Sequence, residues 1–421
     1  MARIVFCTWG SYGDLFPYLG LAVRLKAIGH TPVLATCSYY RDLVEREGFE
    51  FRPVRPDVKP DATDLIARVM DPKRGSEVVL REVLAPAVRD AYEDTVEAVR
   101  GADLVVSHPI TFAAPLAAQV RGLPWVSTVL SPISFFSPHD FPVMPNVPSA
   151  VHLRRLGPWT GRLLMRVARR ITRPWMQPVY DLRSDLGLPA SGDPLYEGQF
   201  SPLGTLALYS RVLGAPQPDW PRNTHLTGFS FFNSAIPMPD ACAAFLDAGD
   251  PPIVFTLGTS AVGAAGAFFE ESAKAAVALG RRAVLLVGTS PANRPSVAMP
   301  PSILAIDAAP HDALFARAAA VVHQGGIGTT GQALRSGRPT LVVPHAHDQP
   351  DNAFRVQNLG VARVLYPKRY NGARVAHHLR TLLEDSRYAE RACNVARAVR
   401  AEAGADGGCA FLDRLTRGRQ S

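Results

Sequence analysis

Short apolar runs, each closed by a turn and followed by a helical pattern, recur through this chain in two separate sets. That repetition restricts the folds open to it. The first set is Arg3-Ile-Val-Phe-Cys-Thr8, Thr31-Pro-Val-Leu-Ala-Thr36, Asp103-Leu-Val-Val-Ser107 and Pro124-Trp-Val-Ser-Thr128. Helices are expected from Leu15 to about Ile28, stopping near Gly29, and from Tyr39 to Glu47, stopped by Gly48. The pattern restarts at Pro252-Ile-Val-Phe-Thr256 and continues through residues 282–287, 302–306, 319–322, 340–343 and 361–366. Strands alternating with helices need right-handed crossovers and so build parallel sheets. The expected class is α/β, with two facing Rossmann-like domains, each a doubly wound parallel sheet, and a cleft between them.

Bulk properties narrow the function. A chain of 421 residues, 47% hydrophobic and 19% charged, is globular and most simply two domains. The five cysteines, Cys7, Cys37, Cys242, Cys393 and Cys409, are scattered without a CxxC pair, which fits a reducing compartment and no zinc site. Met1-Ala2-Arg3 leads straight into a strand-like run, so no secretory signal is expected. No apolar stretch is long enough to span a bilayer, and a cytoplasmic location follows. The net charge of +8 comes mostly from arginine, with no aromatic-interleaved nucleic-acid motif, so nucleic acid is not an expected partner. A diphosphate donor and an anionic membrane surface are more economical ones.

Two segments carry chemistry. His323-Gln-Gly-Gly-Ile-Gly-Thr-Thr-Gly-Gln332 reads as a strand end, a glycine loop and a helix start, which can bring amides and a positive helix terminus against a phosphate. Pro344-His-Ala-His-Asp-Gln-Pro-Asp-Asn352 crowds donors and acceptors just after an apolar strand, which suits the hydroxyls of a sugar ring. Together they describe a nucleotide-sugar site.

The segment resembles the donor signature of the family 1 glycosyltransferases, two-domain enzymes of the GT-B fold that move a sugar from a nucleoside diphosphate to an acceptor hydroxyl. The resemblance covers nearly the whole chain and includes Gly10-Ser-Tyr-Gly-Asp-Leu-Phe-Pro17. It is nearest to the rhamnolipid-type rhamnosyltransferases and, more distantly, to sterol and glycopeptide-antibiotic glycosyltransferases. The nearer match lies in Gly228-Phe-Ser-Phe-Phe-Asn-Ser-Ala-Ile-Pro237, Pro252-Ile-Val-Phe-Thr-Leu-Gly-Thr-Ser260 and His345-Ala-His-Asp-Gln349. It implies an acceptor domain at residues 1–215, a proline-rich linker at 216–239, a donor domain at 240–400 and a terminal helix within 401–421 that packs back on the first domain.

The resemblance also assigns residues. Gly325, Gly326, Gly328, Thr329 and Thr330 would hold the diphosphate, with His323 and Gln324 before them and Ser11, Gly258, Thr259 and Ser260 on the facing walls. Ala308, Ala309 and His311 would lie beside the base, Gln332 beside the ribose, and His347, Asp348 and Gln349 beside the sugar. Two departures matter. Gln324 stands where the family often has a phosphate-contacting histidine, and Gln332 stands where it often has a ribose-binding glutamate. Loss of that carboxylate favours a thymidine donor, which lacks the 2′-hydroxyl, so dTDP-rhamnose is preferred over UDP-glucose. The plainer alternatives are a ligand-free strand-to-helix turn for the glycines and a solvated loop for Asp348 and Gln349.

Inverting transfer needs a base, and Asp14 occupies its position in the resembling subgroups. A carboxylate of ordinary pKa, about 3.9, is weakly basic, and burial in a closed cleft would raise it. Asp14 could instead be a helix N-cap, and the two roles can coexist. No DxD pair occurs, so no metal or other cofactor is expected. Gly13, His108, Phe135, Phe136, Phe141 and Met144 are candidate linings of a largely apolar acceptor pocket, fit for a lipid hydroxy acid, polyketide, flavonoid or sterol. Between Trp159 and Trp175, Leu163, Leu164, Val167, Ala168, Ile171 and Trp175 fall at helical spacing opposite Arg162, Arg166, Arg169, Arg170 and Arg173. That is either a surface helix packed on the acceptor domain or an interfacial helix touching anionic lipid. The rivals are weaker. An epimerase would not need an apolar acceptor pocket, a dehydrogenase would need a third glycine after Gly10-Ser-Tyr-Gly13, and a noncatalytic sensor would need no base.

Overall fold

The computed structural model describes residues 1–58, 62–145, 147–233, 237–296 and 299–418, with the side chains of Thr63 and Ser260 left out. Thirteen strands are present among the described residues: β1 (Arg3–Cys7), β2 (Thr31–Thr36), β3 (Glu50–Pro53), β4 (Leu104–Ser107), β5 (Trp125–Val129), β6 (Thr205–Ala207), β7 (Thr224–Leu226), β8 (Ile253–Thr256), β9 (Ala283–Leu286), β10 (Ile303–Ile306), β11 (Ala320–His323), β12 (Thr340–Val342) and β13 (Ala362–Val364). They form two sheets, ordered β3-β2-β1-β4-β5-β6-β7 and β10-β9-β8-β11-β12-β13. The pairings are parallel, with Ile4 opposite Pro32 and Leu104 in the first sheet and Val254 opposite Val284 and Val321 in the second. Ile4, Val5 and Phe6 are all fully buried, so β1 is covered on both faces and reads as an unbroken apolar run.

The topology decides where a ligand can sit. In each sheet the chain winds outward from a central strand and then crosses to its other side, so the order reverses between β1 and β4 and between β8 and β11. At such a switch point the following loops splay apart and leave a crevice beyond the carboxyl ends of the strands. Asp14 follows β1, His108 follows β4, Gly258 follows β8 and the glycine loop follows β11.

Three expectations need correction. The first helix spans Tyr12–Ala27, starting before the expected Leu15, and Ser11 is its N-cap; Asp14 sits at the third helical position. The stretch 216–239 is not simply a linker, because Thr224–Leu226 pairs with β6 and forms the edge of the first sheet. The edge strands β3 and β7 escaped sequence reading because sheet pairing, rather than an apolar run, defines them, while β6 lies in a buried apolar run, Leu206-Ala-Leu-Tyr209, that the reading passed over. At the other end, the helix Gly404–Arg417 lies against Tyr12–Ala27, burying Phe411 and Leu412 in the core of the first domain beside Leu21 and Leu206. His30 Nε2 meets Asp413 Oδ1 at 3.0 Å across that seam.

Candidate active site

Ser11-Tyr-Gly-Asp14 folds as a capping box. The Ser11 hydroxyl accepts from the Gly13 amide at 3.2 Å, and Asp14 Oδ2 accepts from the Ser11 amide at 2.7 Å and its hydroxyl at 3.2 Å. Gly10 has φ of 133°, and a Cβ there would collide with the Asp14 carboxylate. Asp14 Oδ1 faces His108 Nε2 at 3.3 Å. His108 Nδ1 accepts from the Ile110 amide at 3.3 Å, which turns Nε2 towards Asp14. A carboxylate has about four lone-pair directions, so the two donors on Oδ2 leave Oδ1 free to take an incoming hydroxyl. His108, placed by sequence in the acceptor lining, is nearly buried and orients the carboxylate.

The opposite wall begins with β11. His323 Nδ1 accepts from the Gly325 amide at 3.1 Å, and burial holds this imidazole neutral, near a pKa of about 3. Gly325 has φ of 90°, and a Cβ there would come 2.8 Å from Val342. The Gln324 carboxamide is wedged between Gly258, whose Cβ would collide with it, and Gly326. Its Nε2 donates to Thr329 Oγ1 at 3.5 Å. Behind it runs the helix Ile327–Ser336, whose first backbone bond is from the Thr330 amide to the Gly326 carbonyl. The Gly328 and Thr329 amides therefore have no intrahelical acceptor and point out of the helix head. Gln324 Oε1, Thr330 Oγ1 and Gln332 Oε1 are buried and have no partner among the described residues. Three orphaned polar oxygens on the glycine loop and the first turns of the helix after it mark a place built for a hydrogen-bonding ligand.

The sugar-side residues divide. Asn352 Nδ2 donates to Asp348 Oδ2 at 2.7 Å and to the Gly325 carbonyl at 2.9 Å, while its Oδ1 accepts from Ser131 of the first domain at 3.1 Å. Burial, reinforced by Asp14 across the crevice, pushes the Asp348 carboxyl up to about 7. Gln349, expected beside the sugar, uses its Oε1 to accept from the His345 and Ala346 amides, so it chiefly shapes its own loop. His347 adopts φ of 56°, a strained conformation for a residue with a side chain, and its Nδ1 lies 3.3 Å from Ser76 Oγ of the first domain.

The domains meet closely. A Cβ on Gly328 would lie 3.3 Å from Gly13 Cα, so the two helix heads abut. Arg355 reaches Asp351 and Asp140, each at 2.6 Å, and the Leu213 carbonyl at 2.8 Å, while the Val143 amide donates to Asp351 at 2.9 Å. Sequence reading placed Asn352 in the polar run 344–352 but missed Ser131, Ser76 and the Arg355–Asp140 ion pair, whose partners lie more than 200 residues away. The long pairings leave no local pattern to detect.

Other candidates lie less centrally. His311 opens the helix His311–Ala316, stacks on Phe315 at 4.5 Å and is pulled down to about 4 by burial; Ala308 is exposed and Ala309 half-buried beside it. Thr259 is exposed at the head of the short helix Gly258–Ala261, and the Ser260 side chain lies outside the described residues. Phe135 is stacked on Trp220 with centroids 4.0 Å apart, and Phe141 is buried, so both serve as core in the structure described. Phe136 and Met144 are only partly covered. Among the described residues, no group of three His, Cys, Asp or Glu is placed to hold a metal ion.

Two doubly wound parallel sheets presenting a carboxylate and a helix head to one crevice define the GT-B class. The family described as erythromycin biosynthesis protein CIII-like, C-terminal domain, matches residues 278–406. O-mycaminosyltylonolide 6-deoxyallosyltransferase of Streptomyces fradiae is 32% identical, over 98% of this chain and 97% of that one. Sterol 3-beta-glucosyltransferase of Aspergillus terreus is 28% identical over 96% of this chain, which spans 29% of that longer protein. Among solved structures, glycosyltransferase VinC in complex with dTDP superposes with a TM-score of 0.68 at 20% identity, over 99% of each chain. The chain belongs to the family 1 glycosyltransferases and is a transferase of that kind.

Proposed function

We propose that the enzyme transfers a hexose, with inversion and without a metal, from a thymidine diphosphate donor to a hydroxyl of an apolar small molecule. Rhamnose is the preferred sugar. The observation that carries this reading is the pairing of the Asp14–His108 unit with a helix head whose side-chain oxygens are orphaned. In the reaction, the acceptor oxygen bonds to the anomeric carbon from the face opposite the diphosphate. Its proton passes to the remaining lone pair of Asp14 Oδ1 as the bond from that carbon to the diphosphate oxygen breaks. The departing charge is met by the amides of Gly328 and Thr329 and the dipole of Ile327–Ser336, which supports a metal-free route. Asp348 would take the sugar's hydroxyls, and Gln332 Oε1 could accept one ribose hydroxyl, which suits a deoxyribose. The name of the Streptomyces fradiae relative, a deoxysugar transferase, and the dTDP complex of VinC support that donor.

The test is a donor panel. A ligand at a hundred times its Kd stabilises the native state by about 2.7 kcal/mol. A thermal shift with dTDP-rhamnose and none with UDP-glucose is expected, with activity retained in EDTA and an anomeric configuration opposite to the donor's. A shift with UDP-glucose alone would reassign the donor.

A further inference from the structure

The helix Pro158–Thr172 is amphipathic in an unusual sense, because much of its apolar surface faces outward. Its inner side packs on the acceptor-side loop: Met165 is buried with Phe141, and a Cβ on Gly161 would collide with the Pro138 carbonyl. Leu164 and Ala168 turn partly inward, as helical packing requires. Trp159, Leu163, Val167 and Ile171, spaced by four, are 59%, 52%, 52% and 56% exposed. Immediately beside that row, Arg162, Arg166 and Arg170 form a second exposed row at the same spacing. None of the three has an ion-pair partner among the described residues, whereas Arg169 on the inner side is paired with Glu197. Leu156 and Arg155, on the turn leading into the helix, are exposed too.

An apolar row flanked by unpaired arginines is the pattern of a helix lying in a bilayer interface, its arginines reaching phosphate while tryptophan and aliphatic side chains enter the acyl boundary. We propose that this face docks the enzyme on an anionic phospholipid surface. Charge selects this occupant over a second copy: a two-fold contact would set two unpaired arginine rows against each other. The contact is peripheral, because no helix among the described residues is long and apolar enough to cross a membrane. It would hold the acceptor-side loop 137–141 against the lipid, where an apolar acceptor is concentrated.

The test uses the full chain in flotation with phosphatidylcholine vesicles, with and without phosphatidylglycerol. Binding to the anionic vesicles alone is expected, weakening as salt rises. Arg162→Gln/Arg166→Gln/Arg170→Gln should lower partitioning about a hundredfold. Leu163→Ser/Val167→Ser/Ile171→Ser should abolish it, and both variants should keep the wild-type thermal shift with nucleotide, showing that they fold. Equal binding to neutral vesicles, no binding to either, or binding untouched by the substitutions would overturn the proposal. So would a concentration-dependent dimer that the serine variant dissolves, which would make a second copy the occupant.

Discussion

Donor binding should expel a proton near neutral pH, and Asp348 is the reason. In the structure its carboxyl lies up at about 7, against an ordinary 3.8, because it is buried and Asp14 stands across the crevice. A folded pKa raised in this way favours the protonated form. Its contribution to the closed, ligand-free state is full below about pH 4 and is lost as pH rises through about 7. A sugar whose hydroxyls donate to Asp348 favours the ionised form and brings the pKa back towards its ordinary value. Donor affinity should therefore rise with pH, by about a hundredfold between about pH 5 and about pH 8, with close to one proton released per donor at about pH 6. Burial holds His311, His323 and His345 below that window, near 4, 3 and 4. Calorimetry with an intact nucleotide sugar, in buffers of different ionisation enthalpy, measures both quantities. Asp348→Asn should flatten the profile, and Asp14→Asn should move its midpoint to lower pH by removing the facing charge. A profile that is flat in the wild type, or unchanged in Asp348→Asn, would refute the reasoning.

Measured at about pH 8, above the Asp348 midpoint, Asp14→Asn should lower kcat by about a hundred- to ten-thousandfold while leaving donor Kd nearly unchanged, read by steady-state kinetics beside calorimetry. Gly258→Ala places a Cβ against the Gln324 carboxamide at φ of 58°, so donor affinity should fall while the enzyme stays folded; isothermal titration beside a melting curve separates the two effects. Arg355→Met leaves the fully buried Asp351 without its main cation and should cost about 3–5 kcal/mol in urea unfolding.

Much of the architecture was legible because strands of a parallel sheet covered on both faces become apolar runs, as in Ile4-Val-Phe6 and Ile253-Val-Phe255. The three-residue strand β7 carries no such run; Thr224-His-Leu226 is partly exposed and exists because β6 lies beside it. The start of the first helix was available in principle, since Ser11 and Asp14 have capping-box spacing, but Gly10 and Gly13 read as a turn and put the expected boundary at Leu15. Glycine and polar patterns pointed to the two walls of the crevice. The contact of His108 with Asp14, and the hub at Asn352, join loops that only the fold brings together.

The path of the chain between the lobes has a mechanical consequence. The polypeptide passes from one to the other after β7 and returns before Gly404, and the two passages are fastened side by side: the Gly404 amide donates to the Thr227 carbonyl at 2.6 Å, and Glu402 accepts from Ser210 and Arg211, each at 2.9 Å. A pair of adjacent tethers works as a hinge with two pins. Two pins side by side resist swivelling of one lobe on the other, which keeps Asp14 aligned over the head of Ile327–Ser336.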